Sequence, residues 1–126
     1  MPHRRPRHRG SFASHFDELV VQYGAKIIFI VVNNGMYGTI RMHQEREYPG
    51  RVSGSDLYNP DFVALARAYG WRAEKVDATA GFEAAFRAAL EAPQPTLLHL
   101  PLAAEVITSR TTISAIRASA RARKKD

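Results

Sequence analysis

The sequence predicts an α/β domain in three layers, a mainly parallel sheet flanked by helices. Three observations lead there. Residues 27–32 are a run of six apolar residues, too short to span a bilayer and the right length for a strand covered on both faces, as parallel strands are. Two further strand-like segments follow, at 72–76 and 96–100, each preceded by a helical pattern. The resulting order from Lys26, strand–helix–strand–helix–strand, is the order that builds a parallel sheet with helices on its faces. At 126 residues the chain is long enough for one domain with a substantial core.

The elements can be justified in turn. Ser14 to Tyr23 suits a helix, and Gly24 supplies the left-handed position after it. Lys26 to Val32 is the first strand, ended by Asn33-Asn34-Gly35. Thr39 to Glu47 reads as a short helix, followed by a Gly- and Ser-rich loop from Tyr48 to Tyr58. Asn59-Pro60 marks a helix start, with Asn as the cap and Pro in the first turn. Phe62, Leu65, Ala66 and Tyr69 share one face of that helix, and Gly70 closes it. Arg72 to Val76 is the second strand. The next helix carries Phe82, Ala85, Phe86, Ala89 and Leu90 on one face, is broken by Pro93 and Pro95, and leads to the last strand, Thr96 to Leu100.

Composition narrows the function classes. With 45% apolar residues the chain is globular, and no apolar stretch approaches the ~20 residues of a membrane span. The absence of Cys excludes disulfides and thiolate metal sites and fits a reducing, cytoplasmic setting. The formal charge of +6 belongs to the ends: residues 1–9 carry +4, residues 117–126 carry +4, and the body between them carries −2. Such blocks are ordinarily solvated tails. No aromatic residue is interleaved with either block, so a specific nucleic-acid partner is not expected. His3, His8 and His15 have spacings that suit no single helix face. His99, alternating with Leu98 and Leu100, reads as a strand histidine with a hydrogen-bond partner rather than a catalyst. His43 reads as a solvated helix residue.

The chemistry is expected at the end of the first strand. In open α/β sheets ligands bind in the crevice beyond the carboxyl ends of the strands. Asn33-Asn34-Gly35 and Gly38 place carboxamides and flexible backbone there. Amide and carbonyl oxygens are hard donors, suited to magnesium and through it to phosphate. The competing reading is an ordinary turn, since Asn and Gly are common turn formers.

The stretch Val31-Val32-Asn33-Asn34-Gly35-Met36-Tyr37-Gly38-Thr39-Ile40-Arg41 closely resembles the closing half of the thiamine-diphosphate signature. That signature opens with Gly-Asp-Gly and ends with Asn-Asn at a strand end. The resemblance runs from about Gln22 to Arg117 and points to the carboxy-terminal, diphosphate- and magnesium-binding domain of acetolactate-synthase-like and benzoylformate-decarboxylase-like enzymes. It implies the thiamine-diphosphate-binding fold, in incomplete form. It implies domain limits of 1–20 for an atypical basic segment, 21–117 for the cofactor-binding domain and 118–126 for a basic disordered tail. By the same resemblance the cofactor-binding residues are Asn34, Gly35, Met36, Tyr37 and Gly38, and the metal ligands are the Asn34 side chain and the Met36 carbonyl. Ile40 corresponds to a substrate-pocket position, and no residue is assigned a catalytic role. The implied cofactors are thiamine diphosphate and Mg2+; the implied reaction is loss of carbon dioxide from a 2-oxo acid, the acyl unit going to a proton or a second carbonyl. The implied partner is a pyrimidine-binding domain or a second copy in a homo-oligomer.

The sequence also departs from the family pattern. His8-Arg9-Gly10 stands where Gly-Asp-Gly is expected. Either Arg9 puts a cation in the place of a metal ligand, or residues 1–20 are unrelated to the family, as a frame-shifted or truncated coding sequence would give. The activating Glu of the family, which lies in a separate amino-terminal domain, has no counterpart in this sequence. Two functions follow as alternatives: the cofactor-binding domain of a 2-oxo acid lyase or transferase that is not catalytic by itself, or a non-catalytic remnant or interaction domain that keeps the fold without the cofactor.

Overall fold

The structure is a computed structural model and describes residues 22–124. Its elements are β1 (Ile28–Asn33), α1 (Gly38–Glu47), α2 (Phe62–Ala68), β2 (Arg72–Lys75), α3 (Thr79–Glu91), β3 (Thr96–Pro101) and α4 (Ile113–Arg123). Sheet order is β1-β3-β2 and both pairings are parallel. The last strand in sequence is therefore central. In register, Val31 and Lys75 both lie beside His99, and Asn33 lies beside Pro101. The parallel sheet with helices on both faces is the expected architecture.

Strand alternation sorts the core onto two faces. On the α2 side, Ala66 of that helix packs with Trp71, Ala73 and Leu97, with Ile27, Val31, Phe62 and Val63 against them. Beneath α3 lie Val76, Ala85 and Leu98, with Ile28, Phe82, Phe86 and Leu100. Phe82 and Phe86, one turn apart, stack with ring centroids 5.7 Å apart. Leu98, at the centre of the middle strand, is fully buried, and burial of a Leu side chain contributes roughly 2 kcal/mol. Among the described residues no helix is long and apolar enough to cross a membrane.

Several expectations need correction. The run Ile27 to Val32 is not covered on both faces: Phe29, Ile30 and Val32 are 41%, 40% and 59% exposed. Within the described residues β1 pairs only with β3, so it is an edge strand there, and Ile30 and Val32 lie on the α3 face beyond that helix's cover. The cap of α2 is Asp61, whose carboxylate accepts from Ala64 N at 3.0 Å; Asn59 turns to Asn33 instead. The buried face of α2 is Phe62, Val63 and Ala66, while Leu65 and Tyr69 are exposed, as is Leu90 on α3. Gly24 (φ +62) and Gly70 (φ +78) hold the left-handed positions expected of them. The helix expected over Ser14 to Tyr23 lies outside the described residues except for helical Gln22 and Tyr23.

The largest difference is α4, which runs through residues 118–123, within the segment read as a disordered tail. Its start is capped by Thr112, whose hydroxyl accepts from Ala115 N at 3.2 Å. Ile113 and Ala120 are buried, and Arg121 and Arg123 sit in the last turn, where cations suit the helix dipole. The block of like charge is helical where Ile113 and Ala120 are buried and Arg117 meets a buried counter-charge.

Candidate functional site

At the carboxyl end of β1 the chain turns through residues 34–37 into α1, and Asn33 organises the turn. Its Oδ1 accepts from Gly35 N at 2.9 Å and from Asn59 Nδ2 at 2.8 Å. Two N–H donors on one oxygen fix the amide orientation, so Nδ2 points the other way, 3.2 Å from His99 Nε2. That histidine nitrogen must then accept, which places the ring proton on Nδ1. The edge of Phe62, 5.3 Å from the His99 ring, completes the surroundings. One carboxamide thus joins the turn, the lead-in to α2 and the central strand. His99 is the partnered strand histidine that the sequence suggested.

The next residue faces the crevice. Asn34 is half-buried, and its Oδ1 accepts from Met36 N at 3.2 Å. Gly35 has φ +70, a conformation costly for a residue with a Cβ. Met36 sits opposite Asp56 in an isolated antiparallel bridge. The bridge's hydrogen bonds are made by its neighbours, Leu57 N to Gly35 O at 2.9 Å and Tyr37 N to Ser55 O at 2.8 Å. The Met36 carbonyl is therefore not used by the bridge. Tyr37 is the N-cap residue of α1, and no side chain caps this end. First-turn amides of an uncapped helix are donors oriented toward an anion.

A side chain at Gly38 would be tightly placed. A Cβ on it would stand 3.0 Å from Asn34 Nδ2 and 3.1 Å from Ile107 Cδ1. Around this contact lies a cleft of about 320 Å3 lined by Asn34, Gly38, Thr39, Met42, Ile107 and Thr108. None of these side chains titrates or carries charge, and α1 has no acid in its first turn. Among the described residues no three His, Cys, Asp or Glu side chains converge on a metal-sized site. A cation in this cleft would take neutral oxygens from these residues and the rest of its shell from water and phosphate; the carboxylate that a protein usually gives Mg2+ is not among the lining residues.

Further along α1, charge is concentrated on a fully buried carboxylate. Glu45 receives Arg117 in a bidentate pair, Nη2 to Oε1 at 2.6 Å and Nε to Oε2 at 2.9 Å. Gly50 N donates to it at 2.9 Å, and Arg41 Nε stands 3.5 Å away. The Arg117 hydrogen bonds, helped by Gly50 and opposed by burial, lower its pKa to about 2.

Of the residues singled out by sequence, Asn34 and Gly38 line the cleft, and Gly35, Met36 and Tyr37 form the turn beside it. Tyr37 and Ile40 are 52% and 51% exposed, and Ile40 is not among the cleft-lining residues. Asn33 as the organiser of the turn and Thr39, Met42, Ile107 and Thr108 as lining emerge only from the structure. Thr39 had a local signal, its place in the first turn of a predicted helix. Ile107 and Thr108 had none, since they arrive from the far end of the chain.

A sequence model of the thiamine pyrophosphate enzyme C-terminal, TPP-binding domain matches residues 10–100, well over half of the chain. The chain belongs to this family. The match begins at residue 10 and stops before Ile107. Among curated proteins the chain is similar to the acetolactate synthase large subunit of Parasynechococcus marenigrum, 38% identical over 80 residues, 62% of this chain and 13% of that protein. The large subunit from Pyropia yezoensis is 33% identical over 92 residues, 70% of this chain and 16% of that protein. Benzoylformate decarboxylase of Pseudomonas aeruginosa is 34% identical over 80 residues, 64% of this chain and 15% of that protein. The chain thus spans about a seventh of the length of these relatives.

Proposed function

We propose that the cleft at the end of β1 holds the diphosphate of thiamine diphosphate through a magnesium ion, with Asn34 Oδ1 and the Met36 carbonyl as protein ligands. The observation that carries this is the convergence on one uncharged cleft of Asn34, the close-packed Gly38 backbone and an uncapped helix start. In this reading Gly35 gives the turn its shape and Tyr37 flanks the diphosphate. First-turn amides of α1 donate to phosphate oxygens. Ile40, exposed on α1, faces the 2-oxo acid bound against a neighbouring domain. Thiamine diphosphate, when bound, supplies the carbanion chemistry; the protein residues bind and orient it.

The domain serves an acetolactate synthase-like lyase or transferase, in a cytoplasmic setting that fits the absence of cysteine. In this reading the domain is not catalytic by itself, since the cleft it contributes holds only the phosphate end of the cofactor. Calorimetric titration with thiamine diphosphate and MgCl2 tests the binding. Heat that disappears on omission of magnesium, and in Asn34→Ala, is the expected result; no heat from the unaltered chain sinks the proposal. Carbon dioxide released from a 2-oxo acid by the purified chain would overturn the non-catalytic half.

A second reading, an interaction domain without cofactor, is favoured by the exposed Ile30 and Val32 on β1. Its occupant would be a second copy or a pyrimidine-binding domain. It predicts no heat in the titration and self-association by light scattering.

A further inference from the structure

The cleft has two sides of different origin. Asn34, Gly38, Thr39 and Met42 come from the β1–α1 turn and α1, whereas Ile107 and Thr108 come from the loop between β3 and α4. That loop is pinned at its entry by Leu102 N to Asn33 O at 2.7 Å. It folds back through a Val106–Thr112 bridge. At its exit Glu105 receives Ile113 N on its carbonyl and Ser114 N on its carboxylate, both at 3.1 Å. The loop therefore launches α4 and carries the second wall as one unit. The family match ends at residue 100, before this unit begins.

Helix α4 packs against α1, and charged side chains make the hydrogen bonds between them. α1 has no buried apolar residue; its one buried residue is Glu45. A helix without an apolar stripe depends on specific contacts for its placement. The Arg117–Glu45 pair supplies one from α4, reinforced at the helix end by Lys124, which donates to Glu47 O at 2.7 Å and lies 5.3 Å from the Tyr48 ring centroid. The pair thus sets the spacing of two helices whose leading ends carry the two walls. The 3.1 Å that would separate a Cβ on Gly38 from Ile107 Cδ1 gauges how closely the walls meet.

We propose that residues 102–123 form a clasp over the candidate diphosphate cleft, held shut by the Glu45–Arg117 pair. Both are positioning residues, not ligands. They act on Gly38 and Thr39 through α1, and on Ile107 and Thr108 through α4. The consequence for affinity rests on the proposed cofactor site, whereas the consequence for local opening does not.

The test is amide hydrogen exchange on the full chain without ligand, in Arg117→Met, Glu45→Gln and the charge-conserving Arg117→Lys. Arg117→Met and Glu45→Gln are expected to exchange at least tenfold faster at the bonded amides of Met36 and Tyr37 and of Val106 and Thr108 together, with little urea dependence, whereas Leu97 and Leu98 exchange more slowly and with the full urea dependence of global unfolding. Arg117→Lys falls between these variants and the unaltered chain. Acceleration confined to α4, or exchange at the two walls with the same urea dependence as β3, overturns the clasp. A second measurement uses the unaltered chain: thiamine diphosphate with MgCl2 should slow exchange at Val106–Thr108 as well as at Met36–Thr39. Protection of Met36–Thr39 alone also overturns it. If the unaltered chain binds no thiamine diphosphate, the cofactor reading fails by itself, and the ligand-free comparison still decides the clasp.

Discussion

Replacement of Glu45 by Gln removes a buried charge whose worth can be worked from its ionisation. The carboxyl is held at about 2 against an ordinary 4.5. At about 1.4 kcal/mol per pH unit, ionic stabilisation of the folded state is on the order of 3 kcal/mol at neutral pH. The Arg117 side chain is 31% exposed, so water screens part of this, and Gln still accepts one bond from the guanidinium. The expected loss is about 2 kcal/mol at pH 7. The sign follows from the direction of the shift. A carboxyl lowered in the folded state stabilises fully above its unfolded pKa and loses that contribution as pH falls toward the folded value. The gap between the two proteins should therefore be constant above about pH 5 and shrink between about 4.5 and 2. Urea unfolding followed by the fluorescence of the buried Trp71, at several pH values across that interval, reads it directly. A gap below about 0.5 kcal/mol at pH 7, or one that widens on acidification, would refute the reasoning.

Three other outcomes are expected. Gly38→Ala puts a methyl 3.0 Å from Asn34 Nδ2 and 3.1 Å from Ile107 Cδ1. Both are side-chain ends able to shift, and Ala favours a helix over Gly by up to about 1 kcal/mol. The midpoint of thermal unfolding should hardly move while affinity for magnesium thiamine diphosphate falls about tenfold; equal affinity by calorimetry would count against the cradle. Asn33→Ala strips an acceptor from Gly35 N and Asn59 and a donor from His99, a loss of about 2–3 kcal/mol measurable by chemical denaturation. Val32→Lys places charge on an exposed β1 side chain; if that surface mediates association, light scattering should report a smaller species at equal concentration.

What was readable in the sequence, and what was not, divides along individual residues. The end of β1 was legible because a block of β-branched residues followed by Asn-Asn-Gly is a strand and a turn with local causes. Gly24, Gly70 and Pro93 marked element ends for the same reason. The cap of α2 was misread by two positions because Asn59 and Asp61 are both good caps. The choice fell to Asp61 once Asn59 was engaged by Asn33, a residue 26 positions away. Exposure of Ile30 and Val32 was invisible because an apolar run records only that a strand needs cover, not what covers it.

By itself, the sequence determined the alternation of strands and helices, the place where the backbone must turn at positive φ, and the carboxamides set at that turn. Each depends on steric and hydrogen-bonding preferences that reach only a few residues along the chain. The tertiary structure alone decided that the last strand lies in the middle of the sheet, that Ile107 and Thr108 close a cleft against Gly38, and that Arg117 meets Glu45 across 72 positions. Those facts arise from burial and pairing of groups far apart in the chain. There the cost of an unpaired buried charge selects the partner, and no local pattern announces it.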